Sequence, residues 1–126
     1  MIDDRPKDLN ALSEAVIGAA MEVLNTIGAG FLEKVYERAL VHELRLRGIR
    51  LSQQERFTVF YKGTSVGEYV CDILVEGTLV LELKCAERIS SEHVAQGLNY
   101  MKASGKTICL ILNFQRPKLE WKRLVL

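Results

Sequence analysis

The run Thr107-Ile108-Cys109-Leu110-Ile111-Leu112-Asn113 constrains the fold more than any other segment, because its five consecutive apolar residues leave neither face of a strand fit for water. Such a strand needs cover on both sides, the condition of a sheet flanked by helices. The segments upstream supply that cover. Leu9, Leu12, Val16, Ala19, Val23 and Ile27 recur at helical spacing, which predicts an amphipathic helix over roughly 9–27. Gly28-Ala29-Gly30 breaks it. A second helix is expected from about Phe31 to Arg47, with Phe31, Val35, Ala39 or Leu40 and Leu44 as its apolar stripe and Gly48 as its left-handed stop.

The period then changes from helix to strand. Phe57, Val59 and Tyr61 alternate with Thr58 and Phe60, Lys62-Gly63 makes a turn, and Val66 to Val75 forms a second strand. Glu76-Gly77 turns into a third, Leu79 to Cys85, completing an antiparallel meander. Ser90 or Ser91 caps a third helix to about Ser104, with Gly105 as its stop. Thr107–Asn113 then returns parallel to the third strand through a right-handed crossover. Pro117 precedes a last alternating segment, Leu119 to Leu126. The expectation is a single domain over residues 1–126 of α/β (α+β mixed sheet) class: helix, three-strand meander, helix, strand, with an extra N-terminal helix and a C-terminal strand.

Composition narrows the function classes. A net charge of +1 does not by itself announce a polyanion partner, but its distribution is uneven. From Lys102 onward, Lys102, Lys106, Arg116, Lys118, Lys122 and Arg123 are opposed only by Glu120, compatible with a local phosphate-binding patch or with a plain solvated face. Cys71, Cys85 and Cys109 lie in apolar runs at unrelated spacings and read as reduced, buried small hydrophobes of a cytoplasmic protein. The polar opening Met1-Ile2-Asp3-Asp4-Arg5-Pro6 is unlike a signal peptide, and no apolar run approaches the ~20 residues needed to cross a bilayer, so no membrane partner is expected.

The chemistry concentrates in Val70-Cys71-Asp72-Ile73-Leu74-Val75 and Leu79-Val80-Leu81-Glu82-Leu83-Lys84. Residues two apart on a strand share a face, so Glu82 and Lys84 point one way and Leu81, Leu83 and Cys85 the other. A short hairpin brings Asp72 beside Glu82. Two carboxylates and an ammonium in an apolar sheet need partners or must neutralise. Lys84 can pair with one carboxylate, and oxygen ligands suit Mg²⁺ or Mn²⁺ for the other. The bland alternative is a cross-strand charge pair on a solvent-facing edge.

Asp72 followed by Glu82-Leu83-Lys84 resembles the signature of the PD-(D/E)XK nuclease superfamily, and the element order resembles its restriction-endonuclease-like core. Gly30-Phe31-Leu32-Glu33-Lys34-Val35-Tyr36 is similar to the motif of its GxxExxY branch, and Gln96-Gly97-Leu98-Asn99-Tyr100 to the Q-x-x-x-Y element of RecB-type nuclease domains. Cys71 stands where the superfamily name has Pro, a position that does not ligate metal.

The resemblance implies a metal-dependent nuclease. Asp72, Glu82 and the Leu83 backbone carbonyl would hold Mg²⁺ or Mn²⁺, with Glu33 joining directly or through water. Lys84 would orient or activate the attacking water, Gln96 would hydrogen-bond a site residue or phosphate, and Tyr100 and Tyr36 would face the substrate. The expected partner is nucleic acid, DNA ahead of RNA. Two other readings keep the fold: a non-catalytic nucleic-acid- or protein-binding module, and a homodimeric junction-resolving enzyme using Leu119–Leu126 as its interface.

Other candidates carry less. Gly28-Ala29-Gly30 follows a helix, not a strand, and lacks dinucleotide spacing. His42 and His93 have no partners at metal-ligand spacing, and Trp121, alternating with Leu119 and Val125, reads as core or subunit packing.

Overall fold

The computed structural model describes residues 8–126, so the polar opening from Met1 to Pro6 lies outside the described residues. Helices and strands follow in the order α1 (Leu9–Ile27), α2 (Glu33–Leu46), β1 (Leu51–Tyr61), β2 (Thr64–Val75), β3 (Leu79–Lys84), α3 (Ser91–Ser104), β4 (Ile108–Asn113) and β5 (Glu120–Val125). One sheet has the strand order β1-β2-β3-β4-β5, with β3 and β4 parallel and every other neighbour antiparallel. The mixed α/β class and the meander–helix–strand core are as expected.

Alternation sorts the side chains of β3 and β4 into two cores. Leu79, Leu81, Leu83, Ile108, Leu110 and Leu112 pack under α1 and α2 with Leu12, Val16, Tyr36 and Leu40. Val80, Cys109 and Ile111 pack on the opposite face against Tyr100 and Met101 of α3. Every residue of β4 is buried, which accounts for its unbroken apolar run. At about 1.5–3 kcal/mol for each large aliphatic side chain removed from water, these two layers hold the sheet flat against its helices.

Local signals set the element ends. Ser90 accepts from the His93 amide at 3.2 Å while His93 Nδ1 accepts from the Ser90 amide at 3.1 Å, a reciprocal cap that occupies His93. Gly105 stops α3 in the left-handed region at φ 72°. Lys62 and Gly63, both at positive φ, close the two-residue β1–β2 turn with the hand that matches strand twist. No helix among the described residues is long and apolar enough to cross a membrane.

Four expectations need correction. Helix α2 begins at Glu33 rather than Phe31, because Gly30 (φ 111°) and the extended Leu32 keep Phe31 and Leu32 outside it. Strand β1 begins at Leu51 rather than near Phe57: its polar half, Ser52 to Arg56, is held in the sheet by the β2 residues opposite, not by its own hydrophobicity. Trp121 does not enter the core. It shares a side with Arg123 and Val125 at the edge of the sheet, is 42% exposed, and lies under the Arg123 guanidinium at 5.6 Å. Cys85 is half-buried, unlike Cys71 and Cys109.

Helix α3 comes close to the sheet at Gly97, where an added Cβ would stand 2.8 Å from Leu124 Cδ1 and 3.3 Å from Cys109 Sγ. Gly97→Leu is expected to destabilise the domain by about 1–3 kcal/mol through overpacking, read as a lower urea midpoint at unchanged slope. A midpoint equal to wild type would show that α3 is free to lift.

Candidate active site

The site forms where β2 and β3 part. Their ladder runs only from Val75↔Leu79 to Ile73↔Leu81, whereas β3 stays paired with β4 to Lys84↔Asn113. Beyond the last β2–β3 pair, the Leu83 amide donates to Asp72 Oδ2 at 2.8 Å in place of a backbone carbonyl. The Asp72 backbone also faces the Glu82 carboxylate and favours its charged form. The Asp72 side chain thus satisfies an amide that a continued ladder would have paired. This brings Asp72 and Glu82 together, as the sequence spacing anticipated.

The two acids stand in poorly hydrated surroundings. Glu82 is only 3% exposed, and burial, followed by the neighbouring Asp72 charge, pushes its carboxyl up to about 9, against the opposing pull of Lys84. Asp72 is raised as well, chiefly by burial and then by Glu37, while its bond from Leu83 and the Lys84 charge pull it down. Glu82 Oε1 is buried with no hydrogen-bond partner among the described residues. A buried oxygen so placed costs free energy unless a proton or a cation meets it.

Lys84 does not pair with either acid within ion-pair distance among the described residues. Its ammonium donates to Gln96 Oε1 at 2.7 Å, so β3 and α3 meet at that bond. Gln96 also lies near the Tyr100 hydroxyl, whose acidity is lowered mainly by burial and then by the Glu82 and Asp72 charges. Tyr100 is 8% exposed and packs edge-on against Tyr69 at 5.5 Å, behind Gln96 rather than on the open face.

Helix α2 brings a second group of residues to the rim. The Glu33 carboxyl lies near the Cys85 backbone and is raised by partial burial and then by Asp72, although its side chain still meets solvent. Tyr36 is not available to substrate. It is fully buried, stacks on Phe114 at 4.9 Å, donates its hydroxyl hydrogen to the Gly28 carbonyl at 2.7 Å and accepts from the Phe31 amide at 3.1 Å. It staples the glycine-containing loop that positions Glu33.

Glu37 is the member that sequence reasoning passed over. It is 3% exposed, pairs with Lys34 at 3.2 Å, and accepts from Gln53 at 3.0 Å and Gln54 at 3.3 Å. Adjacent strand residues ordinarily point to opposite faces, but Gln54 takes φ +52° at the position facing Asp72, so both amides reach one carboxylate. Its one sequence signal is the four-residue spacing from Glu33.

Oxygen donors dominate this centre, and an unpartnered buried oxygen is what a divalent cation satisfies. Among the described residues no group of three or more His, Cys, Asp or Glu side chains is gathered at metal-ligating distance. The residues that could hold such an ion are therefore few: Asp72, Glu82 and the Leu83 carbonyl, with Glu33 at the rim. Mg²⁺, which keeps much of its hydration, suits such a set.

The family model described as the PD-(D/E)XK nuclease superfamily matches residues 10–124. Among solved structures, the alkaline exonuclease LHK-Exo from Laribacter hongkongensis superposes with a TM-score of 0.54 at 13% identity, over 98% of this chain and 72% of that one. That likeness is one of fold. No curated protein matches the sequence.

A carboxyl whose folded pKa exceeds its unfolded value binds more protons when folded, so its contribution is full below about 4.5 and is lost as pH rises toward 9. Glu82→Gln keeps the neutral form at every pH. In chelator at pH 8 the variant should unfold about 3–5 °C or more above wild type, the shift given by roughly 1 kcal/mol in a domain of this size. The difference should shrink toward pH 4.5. Equal melting temperatures at pH 8 would contradict the buried, strained carboxylate.

Proposed function

The chain belongs to the PD-(D/E)XK nuclease superfamily, and we propose that it hydrolyses phosphodiester bonds of DNA, ahead of RNA, with Mg²⁺ or Mn²⁺ held by Asp72, Glu82 and the Leu83 carbonyl. The observation that carries this reading is the buried Glu82 oxygen without a partner among the described residues, near Asp72 and an ammonium held by Gln96. Bound there, a divalent ion supplies polarisation of the phosphodiester and acidification of a water. Lys84 orients the attacking water and offsets charge developing on the phosphorus oxygens. Gln96 holds that ammonium away from the carboxylates, leaving them free for the cation. Glu33 completes the rim through water.

The finer kinship rests on Gly30–Tyr36 and Gln96–Tyr100, which support the GxxExxY branch and a RecB-type helix. Their structural parts agree with that reading: Tyr36 fixes the loop before Glu33, and Gln96 reaches Lys84. The three free cysteines are compatible with a reducing, cytoplasmic setting.

A dimeric, junction-resolving version has one observation in its favour. Strand β5 ends the sheet, and Trp121, Val125 and Leu126 are 42%, 64% and 67% exposed there. Edge strands of this kind pair readily with a second copy. A purely monomeric mass in solution removes this version and leaves the nuclease.

Asp72→Ala and Lys84→Ala are expected to lower Mg²⁺- or Mn²⁺-dependent cleavage at least about a hundredfold while the far-ultraviolet circular dichroism stays that of wild type. Wild-type protein inert on single-stranded, double-stranded and branched DNA and RNA with either metal would reject the hydrolase. A binding-only scaffold would show no Mn²⁺ site, by calorimetry, that Asp72→Asn removes.

A further inference from the structure

A second feature lies off the same end of the sheet. Glu87 and Arg88, just after Lys84, and Arg116, Lys118, Leu119 and Glu120, between β4 and β5, line a cleft of about 570 Å³. We propose that Arg88, Arg116 and Lys118 form a track for the sugar–phosphate backbone of the nucleic-acid strand whose phosphate enters the site. This rests on the nuclease reading and names where its substrate lies.

The position of the cleft is fixed by a buried amide. Asn113, 3% exposed at the end of β4, accepts from the Ala86 amide at 3.1 Å and donates to the Ala86 carbonyl at 2.8 Å. It also donates to Glu120 Oε1 at 2.9 Å, and that oxygen accepts from the Ile89 amide at 3.0 Å. Both cation-bearing loops are thereby tied to one side chain. Because Asn113 pairs with Lys84 across the parallel β3–β4 ladder, the tie sits beside the ammonium of the proposed active site.

The charges in the cleft are uncommitted where they matter. Arg88, Arg116 and Lys118 are exposed and none forms an ion pair among the described residues. Of the two acids, Glu120 is engaged by Asn113 and Ile89, which leaves Glu87 as the free opponent. Three cations on the lining of one cleft suit a chain of phosphates better than one small anion. An acidic protein segment has the same sign of charge, and Leu119 adds an apolar side chain to the lining; the regular repeat of charge along a phosphate chain is what favours nucleic acid.

The occupant is tested by fluorescence anisotropy of a labelled DNA strand in EDTA across a salt series, with cleavage followed in parallel in Mg²⁺. The triple variant Arg88→Ala, Arg116→Ala, Lys118→Ala should bind about tenfold or more weakly near 0.1 M salt, and its slope of log K against log salt should flatten by about 2–3, at 0.7–0.9 per phosphate lost. Cleavage should show a raised KM at a nearly preserved kcat. Glu87→Gln should bind more tightly than wild type, a change of opposite sign that loss of folding does not produce. A cleaving wild type whose triple variant keeps the same affinity, slope and KM overturns the track and leaves the nuclease standing. A wild type that neither binds nor cuts removes both. Binding of polyglutamate as tight as that of DNA would overturn the track in favour of an acidic protein partner.

Discussion

The hydrogen bond from the Leu83 amide to the Asp72 carboxylate is what the rest of the molecule depends on. Two strands can separate only if the amides released by separation find other acceptors. Here Asp72 takes the Leu83 amide, so that donor is satisfied where the ladder ends. The same bond fixes the Asp72 carboxylate at the fork, within reach of the Glu82 charge. One oxygen of Glu82 is left buried and without a partner among the described residues.

A desolvated acid is a liability to stability, and its surroundings explain how it is tolerated. Glu82 sits on β3, whose neighbours Leu81 and Leu83 are fully buried in the core beneath α1 and α2, and whose parallel partner β4 is buried along its whole length. The strain is placed in the best-supported part of the sheet. On the other flank, Glu37 draws Gln53 and Gln54 toward α2 and so pins the edge strand against the level of Asp72. A functional site that opposes local stability is a familiar trade, and here the opposing terms are assigned to particular residues.

How much of this could be read beforehand follows from the range of the interaction. Helix α1 is bounded as its apolar period implies, because the period, the Asp8 cap and the Gly28 stop are all local. The opposed directions of Glu82 and Leu83 follow from strand alternation alone. The start of β1 does not, since Ser52 to Arg56 are polar and become a strand only through residues near Val70–Val75. Trp121 obeys alternation yet stays 42% exposed on the edge strand, and no spacing rule reports how far the core reaches. Tyr36 shares a motif with Glu33, yet one residue of the pair faces the rim and the other the core. Motif membership places a residue near a site without saying what its side chain touches.

Topology explains why the fork, the ammonium and the basic cleft coincide. In an antiparallel pair, consecutive connections leave from alternate ends of the sheet. Strands β3 and β4 are the one parallel pair in this sheet, so the chain leaves both from the same end. The loops following Lys84 and Asn113 must then lie side by side, and the N-terminal half of antiparallel β2, which has left β3 by Asp72, projects from that end too. Crevices outside the carboxyl ends of parallel strands are the places where α/β sheets take ligands, for this geometric reason. The opposite end holds the tight β2–β3 turn and the short links from α2 to β1 and from α3 to β4. The one crossover, through α3, both opens the crevice and carries Gln96 back to its edge.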